Sequence, residues 1–354
     1  MVKTLIGCCL IHLCIGSIYA ISVLYPMILE ITGWDTTTLV QGFSLTILTL
    51  GLSASFHQKL LSGEKKLLVL KYAIIFWMIL QFSEIGIIYC LPSDPWYLIA
   101  CGILGVSIGL LYVITINIVS QAGFKRVGLA NGLVVFCFGL GSFISSKLFH
   151  TVPLPYIYGC YTLIMLFGLY LINPTSKIES PKKFSRDPKW YGLAIMFCCN
   201  IGIGISLLSN LTNLSIGRGI SLEDAVTLVA ICGLANSGGR LVYSFLSDFV
   251  GKLNMVILIM ILQSLALWTI LQMGFWDIPI LIIISVYGGL FSIMPSLMKE
   301  LYEDQGTIAY SQILSMWGVA GLIFPPLFII FGFSMLMLLA MITIMIPIFV
   351  QFGC

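Results

Sequence analysis

Twelve apolar runs, each close to the length that crosses a lipid bilayer, fill this chain almost end to end. They fall near residues 4–28, 38–57, 68–91, 96–120, 127–149 and 154–172, then near 190–215, 222–247, 253–273, 276–298, 307–330 and 333–351. At 1.5 Å of rise per residue, about 20 apolar residues traverse the hydrocarbon layer. A segment in lipid must satisfy its backbone hydrogen bonds internally, so runs of this length read as helices. The expected fold is an all-α membrane protein of about 12 transmembrane helices. Composition closes off the soluble alternatives: only 9% of residues are charged, against roughly 25% in a soluble domain. A net charge of +3 with dispersed basic residues gives no nucleic-acid groove.

The runs divide as six, a gap, and six. The gap holds Pro174, Pro181, Lys177, Lys182, Lys183 and Arg186 and reads as a cytoplasmic linker. Two six-helix bundles follow, 1–173 and 189–354, joined by 174–188. Basic residues favour the cytoplasmic side of short loops. Lys59, Lys65, Lys66 and Lys71 surround the second connection, Lys125 and Arg126 fill the fourth, and Lys252 and Lys299 mark the eighth and tenth. The odd connections hold Glu30, Asp35, Asp94, Glu223, Asp224 and Asp277, with Arg218 as the main basic exception. Both termini are therefore expected in the cytoplasm, with the chain multi-pass in the cell (inner or plasma) membrane and acting as a monomer. No small-residue cleavage site follows a short apolar core, so the first run reads as a span and not a signal peptide. Nine of the eleven cysteines lie inside apolar runs with no CxxC pairing, and read as small packing residues, not metal ligands.

Charged groups inside spans are the candidates for function, because burying them in lipid is costly without a polar cavity or partner. Arg240 lies eight residues before Asp248, about 12 Å into the membrane by helix rise. It reads either as an anchor for a substrate anion, its planar fork suiting a carboxylate, or as a side chain snorkelling to the interface. His12 and Glu84 are proton-coupling candidates, and each also reads as a hydrogen-bonded structural group. Tyr19, Ser22, Tyr25, Tyr112, Asn117, Asn236 and Trp317 are the polar and aromatic groups expected to line a cavity, some of them packing elsewhere. Asp248, Gly251 and Lys252 form a turn in which the carboxylate caps the following helix and pairs with the lysine. Gly105 with Gly109, and Gly128 with Gly132, are spaced for close helix approach. Pro295, Pro325 and Pro326 are expected to interrupt and bend spans ten and eleven. Gly105-Val106-Ser107-Ile108-Gly109 has the GxSxG spacing but lies in the middle of an apolar run, not at a strand-to-helix elbow, and there is no P-loop or HExxH pair; the chain reads as a non-enzyme without cofactor or metal.

The stretch Gly239–Lys252, ending in Asp248-Phe249-Val250-Gly251-Lys252, resembles the gating loop of the major facilitator superfamily. Its counterpart, His57–Lys66, keeps Gly63, Lys65 and Lys66 but has no aspartate. Gly16-Ser17-Ile18-Tyr19-Ala20-Ile21-Ser22-Val23, Gly33-Trp34, Gly109-Leu110-Leu111-Tyr112, Gly128–Gly132, Gly139–Ser142 and Trp317–Ile323 with Pro325 together resemble the oxalate/formate antiporter family. The monocarboxylate transporters are similar more distantly. The resemblance implies two six-helix bundles around a central site and alternating-access transport of a small carboxylate, by exchange or with protons. It carries the span-eight arginine onto Arg240. Two departures bear on mechanism. Asn236 stands where related carriers place an acid, and no lysine accompanies Ser315, Met316 and Trp317, where the oxalate exchanger has one. A monoanion matches a single fixed cation better than a dianion. The expected function is secondary transport of a small organic anion, a monocarboxylate, across the bilayer. An exporter of amphipathic molecules and a non-transporting membrane sensor are the alternatives. Span five lacks the proline usual in proton-driven drug antiporters, and no extra cytoplasmic domain accompanies the spans.

Overall fold

The computed structural model describes residues 1–60, 65–90, 92–124, 127–173, 184–274 and 276–352, the side chains of 56–60, 65–66, 127–128 and 348–352 excepted. Most of the basic linker, Lys125, Arg126, and the side chains of the His57–Lys66 segment lie outside these residues. The described chain is helical, with no strand. The first run contains helix α1 (Val2–Ile15), a 3-10 segment (Gly16–Leu24) and α2 (Tyr25–Thr32). There follow α3 (Thr36–Leu60), α4 (Lys65–Tyr89), α5 (Asp94–Gln121), α6 (Val127–Thr151) and α7 (Leu154–Leu171). Beyond the linker come α8 (Pro188–Gly217), α9 (Leu222–Val250), α10 (Lys252–Met273) and α11 (Asp277–Tyr302), then α12 (Gly306–Ile313) and α13 (Ser315–Phe352).

Among the described residues, ten stretches are long and apolar enough to cross a membrane, the last of them 277–347. Two breaks divide that last stretch. Glu303–Gln305 forms a 3-10 turn with Glu303 at φ 46°, and Gly332 sits at φ 59° inside α13. The stretch therefore contains three spans, and twelve result. The left-handed conformation at 332 suits glycine, which has no Cβ to clash. The prolines do less than expected: α11 continues through Pro295, and α13 through Pro325 and Pro326, without interruption. Helical backbone near proline can find other partners inside a bundle.

The break that composition did not announce is the 3-10 segment Gly16–Leu24. It runs for nine residues and is buried throughout. Such runs rarely exceed 3–4 residues, so this one is held by its neighbours. The backbones of α1 and α6 touch here, since a methyl group on Gly16 would collide with Phe138 O and one on Gly141 with Leu13 O. Gly105 and Gly109 press α5 onto the α3 backbone at Thr46 and Leu50 in the same way. Gly132 does not share that role: its nearest neighbour is Leu241 Cδ2 at 3.8 Å. Polar pairs add specificity in a core where lipid weakens the hydrophobic drive. Asn200 Nδ2 of α8 donates to Gln263 Oε1 of α10 at 2.8 Å. The main basic exception among the odd connections stacks on a ring: the Arg218 guanidinium lies 3.9 Å over Trp276.

The two sets of six spans meet along two helix pairs. In the first, Gly51 of α3 meets Gly318 of α13, and Gly321 meets Ile47. In the second, Gly139 of α6 faces Ser237 of α9, and Gly233 of α9 faces Phe143. Lys147 Nζ donates to Thr227 Oγ1 at 2.6 Å farther along that second pair, toward the side remote from Met1. In the other direction contact thins, Gly132 reaching only the tip of Leu241. The two halves are thus closed against each other on the side remote from the chain ends.

Candidate functional site

Arg240 lies ten residues before the end of α9, about 15 Å by helix rise, and is 1% exposed. It does not snorkel. Its Nε donates to Asn236 Oδ1 at 3.3 Å, one turn earlier on the same face, while Nη1 and Nη2 have no hydrogen-bond partner. Rings surround it: the guanidinium carbon stands 5.2 Å from the Phe291 centroid and 5.7 Å from that of Phe138. Cation–π contacts of this kind contribute about 0.5–2 kcal/mol. That is less than the several kcal/mol needed to bury an ion, so aromatic walls alone do not balance this charge.

The remaining groups converge from both halves. Tyr19, on the 3-10 segment, touches Tyr287 of α11 hydroxyl to hydroxyl, and its ring packs on Phe138 at 5.1 Å. Tyr112 of α5 adjoins the guanidinium without the geometry of a hydrogen bond. Its ring lies 5.5 Å from that of Trp317 on α13, which in turn packs on Phe291 at 4.8 Å. Trp317 Nε1, Asn236 Nδ2 and His12 Nδ1 are buried and unpartnered. These atoms, apart from the His12 nitrogen whose role depends on tautomer, are donors. A buried donor left unpaired costs about 1–3 kcal/mol. Several of them stand in one cluster with a buried cation, so donors outnumber acceptors there.

His12 Nε2 bonds Thr115 Oγ1 at 2.7 Å, and its ring packs on Tyr112 at 4.9 Å. It is therefore a neighbour of the cluster, fixed to α5. Ser22 stands one 3-10 turn beyond Tyr19, its hydroxyl accepting from Thr212 Oγ1 of α8 at 3.2 Å. This bond links the two halves. Tyr25 donates to Leu39 O at 3.3 Å. Asn117 is half-buried, five residues beyond Tyr112 on α5. Glu84 is buried in the first half, in a separate chamber. Sequence reading missed Phe138, Phe291 and Tyr287. The last had a signal, since Tyr287-Gly288-Gly289 sets a polar ring beside two glycines in mid-span. Gly288 packs on Asn236, and the Tyr287 ring fills the space over Gly204.

At the turn between α9 and α10, Gly251 has φ 87° and is the sole residue between the helices. Lys252 Nζ lies 3.7 Å from Asp248 Oδ1 and 3.7 Å from Glu300 Oε2 of α11. Glu300 is the partner that the sequence did not announce. Asp248 makes no cap bond to α10, and its side chain is 72% exposed; the expected cap is replaced by the pairing alone. Solvated pairs of this kind contribute about 0–1 kcal/mol. Lys252→Ala should therefore lower the unfolding temperature by no more than a few degrees, and less in high salt, as a thermal-shift assay would register.

Comparison with known proteins agrees with this architecture. The family model for the Major Facilitator Superfamily matches residues 154–325. The chain is 24% identical over 335 residues to the uncharacterized MFS-type transporter YhjX of Escherichia coli (strain K12), covering 84% of this chain and 80% of that one. It also resembles the crystal structure of a D-xylose-proton symporter, with a TM-score of 0.69 and 13% identity over 98% of this chain and 95% of that chain. The fold is that of the major facilitator superfamily, in a multi-pass membrane protein. Both of these similar proteins are themselves transporters by name.

Proposed function

We propose that this protein carries a small organic anion, a monocarboxylate, by alternating access around Arg240. The observation that carries the reading is the buried guanidinium whose Nη1 and Nη2 lack partners. A carboxylate accepts from both at once, the bidentate geometry that gives arginine its selectivity. Trp317 Nε1 and Asn236 Nδ2 are further donors in reach of a ligand of a few heavy atoms. Arg240 is the single fixed cation of this cluster among the described residues, which favours one negative charge over two. The aromatic walls suit a short apolar tail on the anion. The sequence resemblance to the oxalate/formate antiporter family supports the same class of cargo, and the missing span-eleven lysine argues against oxalate.

In this reading the bundles 1–173 and 189–354 rock about the site, with both termini cytoplasmic and the monomer as the working unit. Tyr19 and Tyr287 come from opposite halves and close over the arginine. Asp248, Gly251 and Lys252 hold α9, α10 and α11 together at the cytoplasmic end. Proton symport and anion exchange differ in what returns the arginine to the other side. The deciding experiment is uptake of labelled formate, lactate, pyruvate and oxalate into proteoliposomes, with and without an inward proton gradient. Saturable uptake of a monoanion, with oxalate excluded, is expected. Well-folded protein that moves none of the four would sink the assignment and leave the fold untouched.

A further inference from the structure

A second chamber lies in the first half, away from Arg240. Its volume is about 20 Å³, room for one water molecule by the usual measure of roughly 10–15 Å³. Glu84 and Gln81 of α4 line it together with Ser17, Thr46, Tyr97 and Cys101. Glu84 is 6% exposed and Gln81 5% exposed. They stand three residues apart and share one helix face. Among the described residues, Glu84 has one hydrogen bond, a long one from the Cys101 thiol, 4.0 Å to Oε1. Gln81 Oε1, also buried, has no partner. Two acceptors face a space the size of a water, with no lysine, arginine or histidine among the residues that line it.

An ionised carboxylate in such a place lacks any counter-charge, and burying it costs several kcal/mol. A proton removes that cost and supplies the missing donor. We propose that this chamber is a proton-carrying site, in which Glu84 takes up and releases one proton per cycle. On release, the carboxyl O–H bond breaks and the proton passes to water in the chamber, leaving the carboxylate. Gln81 can serve both forms, because an amide presents a carbonyl to the acid and, after rotation, an N–H to the carboxylate. The titratable groups facing Glu84 are Tyr25 near the 3-10 segment, Tyr97 and Cys101 on α5, and Tyr158 on α7. None is basic, so Glu84 is the acid placed to exchange a proton. It lies five residues from the end of α4, about 8 Å by rise, toward the side remote from Met1.

The chamber and the arginine share a wall. Ser17, Ile18 and Ile21 of the 3-10 segment line the chamber, while Tyr19 of the same segment meets Tyr287 beside Arg240. A 3-10 stretch in mid-span marks a place where a helix can change its winding. Altered charge at Glu84 thus bears on the element that carries Tyr19. This linkage rests on the anion reading above; the proton site itself does not.

The test uses full-length protein in lipid nanodiscs and infrared difference spectroscopy from mildly acidic to alkaline pH. A protonated carboxyl C=O band that disappears reversibly on alkalinisation, is absent in Glu84→Gln and moves in Gln81→Leu would support the site. Absence of the band, or its persistence in Glu84→Gln, would overturn it. So would a band that responds to sodium and not to pH, which would make the chamber a sodium site. Thermal unfolding of both variants checks that they fold. For linkage, Glu84→Gln should lose at least tenfold of the proton-driven accumulation of formate, lactate or pyruvate, with exchange falling much less. Accumulation at the wild-type level would overturn the coupling. Failure of wild type to move any of the three would instead count against the anion reading, with the infrared band still deciding the chamber.

Discussion

Replacing Arg240 by methionine should abolish anion uptake, by on the order of 100-fold, without lowering the temperature at which the protein unfolds. The two effects have separate origins. Removing one partner from a buried, hydrogen-bonded charge pair costs about 2–5 kcal/mol, and each 1.4 kcal/mol is a factor of ten. Uptake that depends on the guanidinium therefore falls by between one and four powers of ten. Stability moves the other way. Without its anion, Arg240 holds a buried charge with two unpartnered nitrogens, at about 1–3 kcal/mol for each unmet donor. Methionine has similar length, no charge and a flexible thioether that fills aromatic surroundings. The lost cation–π contacts with Phe138 and Phe291 return about 0.5–2 kcal/mol. The balance is near zero or stabilising.

An arginine kept for packing would behave otherwise. Its removal would lower the unfolding temperature, and transport would decline only as folded protein was lost. The anion supplies a further contrast. A ligand at 100 times its dissociation constant stabilises the state that binds it by about 2.7 kcal/mol. Wild type should therefore gain several degrees with a transported anion, and Arg240→Met none. Arg240→Lys keeps the charge but loses the planar fork, and should fall between the two. Thermal shift and proteoliposome uptake, run on the same preparations, separate these outcomes.

Much of this molecule is legible in its sequence, and the limits have physical causes. Bilayer thickness imposes the length of each apolar run, so spans were countable, and the polarity of Lys299–Gln305 located a break inside 277–347 that hydropathy alone would merge. Arg240 was visible because a cation in mid-span is conspicuous. The 3-10 winding of Gly16–Leu24 was not visible, because an apolar stretch has the same composition in either helix and tertiary contact with α6 chooses between them. Ser22 and Tyr25 read from their polarity as candidates to line a cavity, and their partners, Thr212 Oγ1 and Leu39 O respectively, are contacts that only the fold supplies. Phe138 and Phe291 carry no polar signal, and only their approach to the guanidinium distinguishes them from packing residues.

The second large effect separates two glycines of one helix. Gly139 and Gly141 are two residues apart on α6, about 200° around the helix at 3.6 residues per turn. They face opposite partners: Gly139 meets Ser237 and Gly233 of α9 in the other half, whereas Gly141 meets Leu13 of α1 in its own half. Valine at either position overfills a tight contact, for which about 1–3 kcal/mol is usual. At Gly141 the collision is with backbone inside one bundle, so Gly141→Val should lower the unfolding temperature and the yield of folded protein. At Gly139 the two bundles can separate instead. Gly139→Val should unfold near the wild-type temperature yet lose transport tenfold or more, because the side remote from the chain ends can no longer close. Spin labels at Thr151→Cys and Glu223→Cys, both exposed near the Lys147–Thr227 contact, report that side in a cysteine-free background. Their separation should widen in Gly139→Val and stay unchanged in Gly141→Val. Equal distances in the two variants, with transport intact in Gly139→Val, would mean that the α6–α9 seam does not open and close during transport.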